Sequence, residues 1–202
     1  LKDRLYTCKT DGLPRRSAQT ALYHIAEALA RWVAPILSFT AEEIWQALPG
    51  KRAESVIFAQ WYDIPSAQAD DVQWPQVIAI RDEVKKQLET LRSEGHIRGS
   101  LDAVVGLYCE QPVYELLATL EEELRFVFLT SDADLYTAEV PTDDAVASEA
   151  MPGLKIEVAA SGAEKCDRCW HRRKDVGTDR QHPALCGRCV ENLDVGEIRQ
   201  FA

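Results

Sequence analysis

Apolar residues recur every three or four positions between residues 17 and 33, with polar residues between them. That period places them on one side of an α-helix, so an amphipathic helix is predicted here. Pro35 should kink or end this helix, because proline lacks the backbone N–H that a helix needs. The periodic apolar residues are Leu22, Ile25, Leu29 and Trp32.

A second helix is predicted to start at Thr40, whose hydroxyl can cap the helix while Glu43, three residues later, completes a capping box. Gly50 lies beyond the expected end of this helix. Residues 55–58, a serine followed by three apolar residues, predict a short extended segment. Residues 1–62 are therefore predicted to be a portion of a helical bundle.

The middle of the chain mixes helical and strand periods. Helical spacing over residues 77–91 predicts a long helix that ends near Gly95, and a second helix is predicted over residues 116–124. Helices beside a few strands indicate an α+β fold. Strands are predicted at residues 101–109, 126–129 and 154–158.

Four cysteines near the C-terminus form two close pairs, Cys166 with Cys169 and Cys186 with Cys189, separated by sixteen residues. The two sulfurs of each pair can point at one spot, and two pairs supply the four thiolates that suit tetrahedral Zn²⁺. The spacing lies in the range of structural zinc sites. Because four cysteines fill the coordination sphere, we expect one structural zinc ion with no open position for a substrate.

Other readings of the same region are possible. Two disulfides would use the same cysteines, but disulfides belong to oxidising compartments and the sequence shows no signal-peptide pattern. His171 or His182 could replace a sulfur, although the four cysteines already complete the set.

Gly187 fits the second turn, because glycine adopts unusual backbone conformations without strain. Cys8 and Cys109 are interpreted as ordinary buried thiols.

A module of about forty residues rarely buries enough apolar surface to fold alone, and structural zinc supplies roughly 10–16 kcal/mol in such modules. We therefore expect the C-terminal segment to be largely unfolded without metal. The fold class expected is α+β overall, with an N-terminal helical portion, a small α+β domain and a four-cysteine zinc finger. The parts are residues 1–62 (helical), 63–71 (linker), 72–160 (α+β) and 161–202 (zinc-binding module).

The formal net charge of −10 looks unfavourable for binding a nucleic acid, but the charge is unevenly distributed. Residues 110–149 hold eleven acidic residues and one basic residue, whereas residues 2–16 and 165–174 are basic clusters. Local patches rather than net charge attract a polyanion, so nucleic-acid binding stays open. Taken alone, each cluster also fits a solvated face.

Sequence motifs of catalytic sites are missing from the chain: there is no glycine-rich phosphate loop, no G-x-S-x-G elbow and no H-E-x-x-H. The sequence contains no run of eighteen apolar residues, so no membrane span is predicted. The chain begins with leucine rather than methionine, which leads us to expect a piece of a longer protein. We expect a cytoplasmic chain that carries no catalytic site of its own.

Several stretches, in this order, resemble the C-terminal end of bacterial isoleucyl-tRNA synthetases, a family of class I aminoacyl-tRNA synthetases. Two of them look like the family's anticodon-binding helical domain, and a third is similar to its Pro-Phe-x-x-Glu-Glu-x-Trp segment. A fourth looks like the Ser-Leu-Glu-Ala strand entry, and the cysteine pairs resemble the terminal zinc finger. The stretches are residues 2–6, 16–22, 34–45, 100–103, and 165–171 with 185–189.

The resemblance implies that the parent protein attaches isoleucine to its tRNA with ATP and edits mischarged valine. It also implies that this chain lacks the ATP-holding signatures and the editing domain, so ATP would bind only in the parent's catalytic domain. The chain would bind isoleucine tRNA around the anticodon, as a monomer beside the catalytic and editing domains of the same polypeptide, with no membrane partner. Arg98 stands where the family more often has glycine, which we interpret as a neutral loop variation.

Unpaired anticodon bases stack on aromatic or guanidinium planes, while lysine and arginine hold phosphates. Candidate contacts therefore crowd on the zinc finger, and Arg15 and Arg16, ahead of the first long helix, are candidates for phosphate contacts. Trp170 could instead pack against its own zinc turn. The finger candidates are Arg168, Trp170, His171, Arg172, Arg173, Lys174 and Arg188.

Two functions of other classes stay open. The zinc pattern also resembles the C-terminal finger of formamidopyrimidine-DNA glycosylases, but those enzymes need an N-terminal proline followed by glutamate, and this chain begins Leu-Lys-Asp. A zinc-stapled protein-docking module would explain the acidic middle segment. It would not explain the basic residues that crowd on the finger.

Overall fold

The computed structural model describes residues 2–66, 72–137 and 141–193. Contacts along the chain group it into two compact units, Leu1–Ala69 with Asn192–Ala202, and Asp70–Glu191. Residues 67–71 of the predicted linker and residues 194–202 of the predicted zinc module lie outside the described residues. The four-part division drawn from the sequence stays a prediction.

The first unit is helical, as its apolar period predicts. Its helices are α1 (Lys2–Thr7), α2 (Leu13–Val33) and α3 (Ser38–Ala47). Helix α2 ends two residues before Pro35, which confirms the predicted stop. None of the helices within the described parts of the chain combines the length and the apolar character needed to cross a membrane.

The prediction that Thr40 caps the second helix is wrong. The turn after α2 leads directly into α3, and the Ala41 N–H already donates to the Leu37 carbonyl at 2.8 Å. Thr40 therefore lies inside the first turn of α3, which begins at Ser38 without a side-chain cap. Glu42 makes the local contact instead, because its carboxylate accepts from the Ser55 hydroxyl at 2.7 Å.

The segment predicted to be extended is a short 3-10 turn over Val56–Phe58. The Ser55 hydroxyl accepts the Ile57 N–H at 3.3 Å, and this side-chain cap favours a turn over a strand. Val56 is buried beside Trp45 in the small core of the unit, which tucks this loop against α2 and α3.

A buried carboxylate organises the polar side of that core. Glu27 on α2 pairs with the Arg31 guanidinium at 2.6 Å and with the Arg52 guanidinium at 3.1 Å. Both guanidinium carbons lie 4.6 Å from the centre of the Trp45 ring, and the Trp45 indole N–H donates to the Ala53 carbonyl at 2.8 Å. Glu27 thus fixes two cations on one aromatic ring.

The second unit packs helices on a four-stranded sheet of order β2-β1-β4-β3. Strand β1 pairs parallel with β2 and antiparallel with β4, so the two flanking strands run in opposite directions. The elements are α4 (Trp74–Ser93), β1 (Ala103–Cys109), α5 (Gln111–Ala118), α6 (Leu124–Phe128), β2 (Asp132–Tyr136), β3 (Val146–Ala147), β4 (Leu154–Ala160) and α7 (Gly187–Glu191).

Alternating burial along β1 shows why the sequence forms this sheet. Every second residue of β1 is buried, and one face of α4 contributes apolar residues to the same core. The predicted long helix and the strands at β1 and β4 are confirmed. The buried residues of β1 and α4 are Ala103, Val105, Leu107 and Cys109, and Val77, Ile80, Val84 and Leu88.

The strand predicted at residues 126–129 is wrong, because this apolar run belongs to helix α6. Leu124 and Phe128, four residues apart and each 1% exposed, pack on one side of the helix. Leu129, in the left-handed conformation with φ of 61°, ends it. A short apolar run does not distinguish a helix from a strand, and here the four-residue spacing decides.

Replacing Glu27 by glutamine should destabilise the helical unit by about 3–5 kcal/mol, because Arg31 and Arg52 would lose their buried anion. Burial raises the pKa of Glu27, but hydrogen bonds from Arg31, Tyr23 and Arg52 outweigh it and lower the pKa below its ordinary value of 4.5. The stabilisation is therefore present above that value and lost as pH falls through the lower folded pKa. Amide hydrogen exchange of α2 and α3 as a function of pH would measure both effects.

The matched control is Glu43→Gln, since Glu43 is an exposed residue of α3. It should change the unfolding free energy by less than about 0.5 kcal/mol. Equal protection of α2 in the Glu27→Gln chain and the parent chain would contradict the role given to Glu27.

Candidate metal centre and nucleic-acid interface

The first cysteine pair lies in a tight hairpin at the start of the finger. Lys165 and Arg172 form an antiparallel bridge, and inside it the Cys166 N–H donates to the His171 carbonyl at 2.9 Å. The Trp170 N–H donates back to the Cys166 carbonyl at 2.9 Å. Trp170 has a left-handed backbone, with φ of 67°, and this conformation closes the turn around the sulfurs.

The second pair stands at the beginning of α7, where Cys186 precedes the helix and Cys189 lies within it. The Gly187 N–H donates to the Asp175 carboxylate at 2.9 Å. A Cβ at Gly187 would lie 3.0 Å from that oxygen, so close approach explains this glycine. Gly187 does not have a left-handed backbone, so the expected reason for this glycine, an unusual backbone conformation, is wrong. In the turn of the first cysteine pair, the left-handed residue is Trp170.

The four sulfurs of Cys166, Cys169, Cys186 and Cys189 all lie within 4.8 Å of one another, and all four residues are buried. The Cys169 and Cys186 sulfurs are 3.8 Å apart. Tetrahedral zinc with bonds of about 2.3 Å places its sulfurs about 3.8 Å apart, so the donor set fits Zn²⁺. Among the described residues this is the group suited to a metal, and it contains neither His171 nor His182.

The disulfide alternative does not fit this arrangement. All six cysteines are unbonded to one another, and a disulfide would need sulfurs about 2.05 Å apart. Cys8 and Cys109 are buried free thiols, as predicted.

The close spacing of the four sulfurs explains why a cation suits the cluster. Hydrogen bonds from Cys186 and Cys189 lower the pKa of Cys169, whereas the bond to Cys169 raises the pKa of Cys186 to about 11. Among four thiols this close together, one can become a thiolate that accepts hydrogen bonds from its neighbours. Four thiolates together require a positive ion between them, since buried like charges repel.

Two of the residues predicted to contact nucleic acid pair with acidic residues beside the sheet. The Arg172 guanidinium pairs with Asp102 at 2.8 Å, and its backbone N–H donates to the Ser131 hydroxyl at 2.6 Å. Arg173 pairs with Asp132, the first residue of β2, at 3.1 Å. The Arg172 hydrogen bond is the main cause that lowers the pKa of Asp102. Charged pairs thus anchor the hairpin at the start of β1 and β2.

Two further candidates pack on Phe126 of helix α6. The His171 ring is only 3% exposed, and its centre lies 5.5 Å from the centre of the Phe126 ring. The Arg188 guanidinium lies 5.1 Å from the same ring centre. The ring of His171 is therefore inaccessible to a stacked base. Phe126 of α6 packs against both His171 and Arg188 and so supports the finger.

The exposed candidates surround the hairpin turn. Trp170 is 61% exposed, so most of its surface is open to solvent. The Lys165 ammonium lies 5.5 Å from the centre of its ring. Arg168 is half-buried and Lys174 is exposed. Lys165 is not among the predicted contacts, although its place inside the basic run next to Cys166 was a signal.

Arg15 and Arg16 lie in the first turn of α2, in the helical unit. Arg16 is exposed, whereas Arg15 is half-buried and reaches the Cys8 carbonyl at 3.5 Å. Of the two, Arg16 has the guanidinium more open to a phosphate.

Comparison with known proteins finds two families in the chain. The family described as "Anticodon-binding domain of tRNA ligase" matches residues 1–107. The family described as "Zinc finger found in FPG and IleRS" matches residues 163–192, a range that contains all four clustered cysteines.

Full-length relatives match the entire chain. It is 55% identical over 207 residues to the isoleucine–tRNA ligase of Methylococcus capsulatus, and 50% identical over 208 residues to that of Pseudoalteromonas atlantica. It is also 52% identical over 207 residues to the same ligase of Coxiella burnetii. In each case the match covers 100% of this chain and 22% of the relative, so the chain spans about a fifth of the length of these proteins.

Replacing Cys186 by alanine should remove zinc from the chain and unfold the finger, because zinc binding supplies roughly 10–16 kcal/mol to such modules. A colorimetric zinc assay should fall from about one ion per chain to near zero, while the amide spectrum of the helical unit stays unchanged. In the parent chain, zinc binding should also weaken as pH falls, because the thiols must lose their protons to bind the metal.

Cys8→Ala is the matched control, because Cys8 is also a buried cysteine, directly follows α1 and is not a member of the four-sulfur cluster. That chain should retain its zinc. A full complement of zinc in the Cys186→Ala chain would show that the four sulfurs do not act as one site.

Proposed function

We propose a tRNA-binding role for this chain, because it belongs to the family of anticodon-binding domains of tRNA ligases. In this role it is the part of an isoleucine–tRNA ligase that binds isoleucine tRNA at the anticodon stem and loop. The observation that carries the proposal is the match of the whole chain to isoleucine–tRNA ligases, with identities of 50–55% in the relatives described above.

The metal centre has a structural part in this proposal. Cys166, Cys169, Cys186 and Cys189 hold one Zn²⁺, which supplies the positive charge that lets all four remain thiolates. With four sulfur ligands, a tetrahedral ion has no position left for a substrate. The metal therefore fixes the hairpin that carries Trp170.

The exposed residues of the finger fit contacts with single-stranded RNA. The Trp170 indole offers a flat surface for one unpaired base, and base stacking on aromatic residues contributes about 1–3 kcal/mol. Arg168 and Lys174 supply cations for the RNA backbone near the finger, and Arg16 supplies one on α2. Arg172, Arg173, Arg188 and His171 support the finger from within and position these residues.

The remaining parts of the proposal concern the parent protein. It attaches isoleucine to tRNA with ATP and edits mischarged valine, and both reactions take place in domains outside this chain. The chain acts as a monomer in the cytoplasm, covalently joined to those domains. Its own parts are the helical portion, the linker, the α+β domain and the zinc module proposed from the sequence.

The experiment that tests the role is a titration of the zinc-loaded chain with isoleucine tRNA at about 50, 100 and 200 mM salt. We expect saturable binding that weakens with salt, because lysine and arginine release counterions from the phosphates. Removal of zinc should weaken it further. Duplex DNA containing an oxidised base and a tRNA with an unrelated anticodon are the competitors, and equal or tighter binding to either would contradict the proposal.

Trp170→Ala should weaken the binding of isoleucine tRNA by about tenfold, in line with the loss of one stacked base. Trp170→Phe should retain most of the affinity, because phenylalanine also presents an aromatic face. Zinc content should stay at one ion per chain in both variants. Unchanged affinity in the alanine variant would exclude stacking at this residue.

A further inference from the structure

A polar cleft opens beside the base of the finger hairpin, between that hairpin and the loop that joins α4 to β1. Its lining includes His96, Arg98, Asp102, Lys165 and Arg172. Four of these side chains are basic types and one is acidic. We call this feature the basic cleft.

The single carboxylate among these side chains is already occupied. Asp102 accepts from the Arg172 guanidinium at 2.8 Å and from the backbone N–H groups of Arg98 and Gly99 at 3.3 and 3.2 Å. Within residues 2–66, 72–137 and 141–193, neither Arg98 nor Lys165 forms a side-chain ion pair. Two cations of the cleft therefore lack a neutralising partner among the described residues.

The hairpin itself makes this charge arrangement costly. Lys165 and Arg172 are partners in the antiparallel bridge, and like charges at directly opposed positions destabilise such a pair. Asp102 neutralises Arg172 but not Lys165. An anion bound between Arg98 and Lys165 would complete the neutralisation, whereas an empty solvated face would leave the repulsion in place.

We propose that the basic cleft binds a backbone phosphate of the RNA, held by the Arg98 guanidinium and the Lys165 ammonium. A guanidinium binds two phosphate oxygens at once and an ammonium acts as a compact point charge, so the pair suits a phosphate diester. The inference rests on the proposed tRNA-binding function and extends it to residues outside the predicted set. Arg98 becomes a binding residue rather than a neutral loop variation.

The position of Lys165 links the cleft to the stacking surface. Its ammonium lies 5.5 Å from the centre of the Trp170 ring, and the same side chain lines the basic cleft. A nucleotide whose base stacks on Trp170 would therefore have a neighbouring phosphate near Lys165, which lines the same cleft as Arg98. An acidic peptide would satisfy the charges but would make no use of this aromatic neighbour.

The first arm of the test needs no RNA. The zinc-loaded chain is titrated with inorganic phosphate, and the backbone amides of residues 95–99 and 161–165 are followed by NMR. We expect these amides to shift together with one saturation curve in the parent chain. In the double variant Arg98→Gln with Lys165→Gln, the shifts should be lost.

The second arm measures the dissociation constant for an RNA hairpin with the isoleucine anticodon loop, at about 50, 100 and 200 mM salt. Each single variant should bind about five- to tenfold more weakly at the lowest salt. The slope of log affinity against log salt should fall by about 0.7–0.9, the value for one phosphate contact. Lys155→Gln is the control, because Lys155 is an exposed lysine of β4 outside the cleft, and it should match the parent chain.

The two arms separate the inference from the function on which it rests. RNA binding in the parent chain that is unchanged in Arg98→Gln and Lys165→Gln overturns the phosphate site but leaves the tRNA-binding role intact. Phosphate-induced shifts at the cleft without RNA binding overturn both the role and the RNA phosphate assignment. Shifts produced by a hexaglutamate peptide but not by the RNA hairpin overturn the inference in favour of a protein partner.

Discussion

The convergence of four buried sulfurs on one point is the constraint on which the finger depends. The finger has few large apolar side chains, and its buried cluster consists of the cysteines themselves with Val176 and Leu185 packed against them. Such a segment gains little from apolar burial, so the metal site takes the place of a hydrophobic core. The Cys186 N–H also donates to the Cys166 sulfur at 3.4 Å, which ties the two cysteine pairs together.

Charge distribution gives the basic residues of the finger two different tasks. Arg172 and Arg173 lie against acidic residues at the start of β1 and β2 and fix the hairpin to the sheet. Lys165 and Trp170 stay accessible on the outside of the same hairpin. A strongly acidic chain can therefore present a local basic surface, because some of its acids neutralise the anchoring arginines and leave the exposed cations available to a ligand.

The sequence predicted most of the elements whose periodicity is long. Helix α4 and strands β1 and β4 have sustained apolar periods, and the zinc cluster follows from the spacing of its cysteines. Short elements were harder to predict, since the apolar run around Phe126 fits a strand and a helix equally well. Strand β2 escaped prediction because Asp132 and Asp134 break its apolar pattern. The partners of Arg172 also depend on contacts distant in sequence, which a basic run by itself does not reveal.

Trp170 combines a left-handed backbone with an exposed aromatic side chain in one residue. A non-glycine residue in this conformation is less stable than glycine by about 1 kcal/mol, because its Cβ crowds the neighbouring carbonyl. Glycine at this position would relax the zinc turn and remove the exposed indole in the same step. A relaxed turn and an exposed aromatic surface therefore require different residues at this position. Tryptophan at this position therefore leaves the turn weaker and the surface of the finger aromatic.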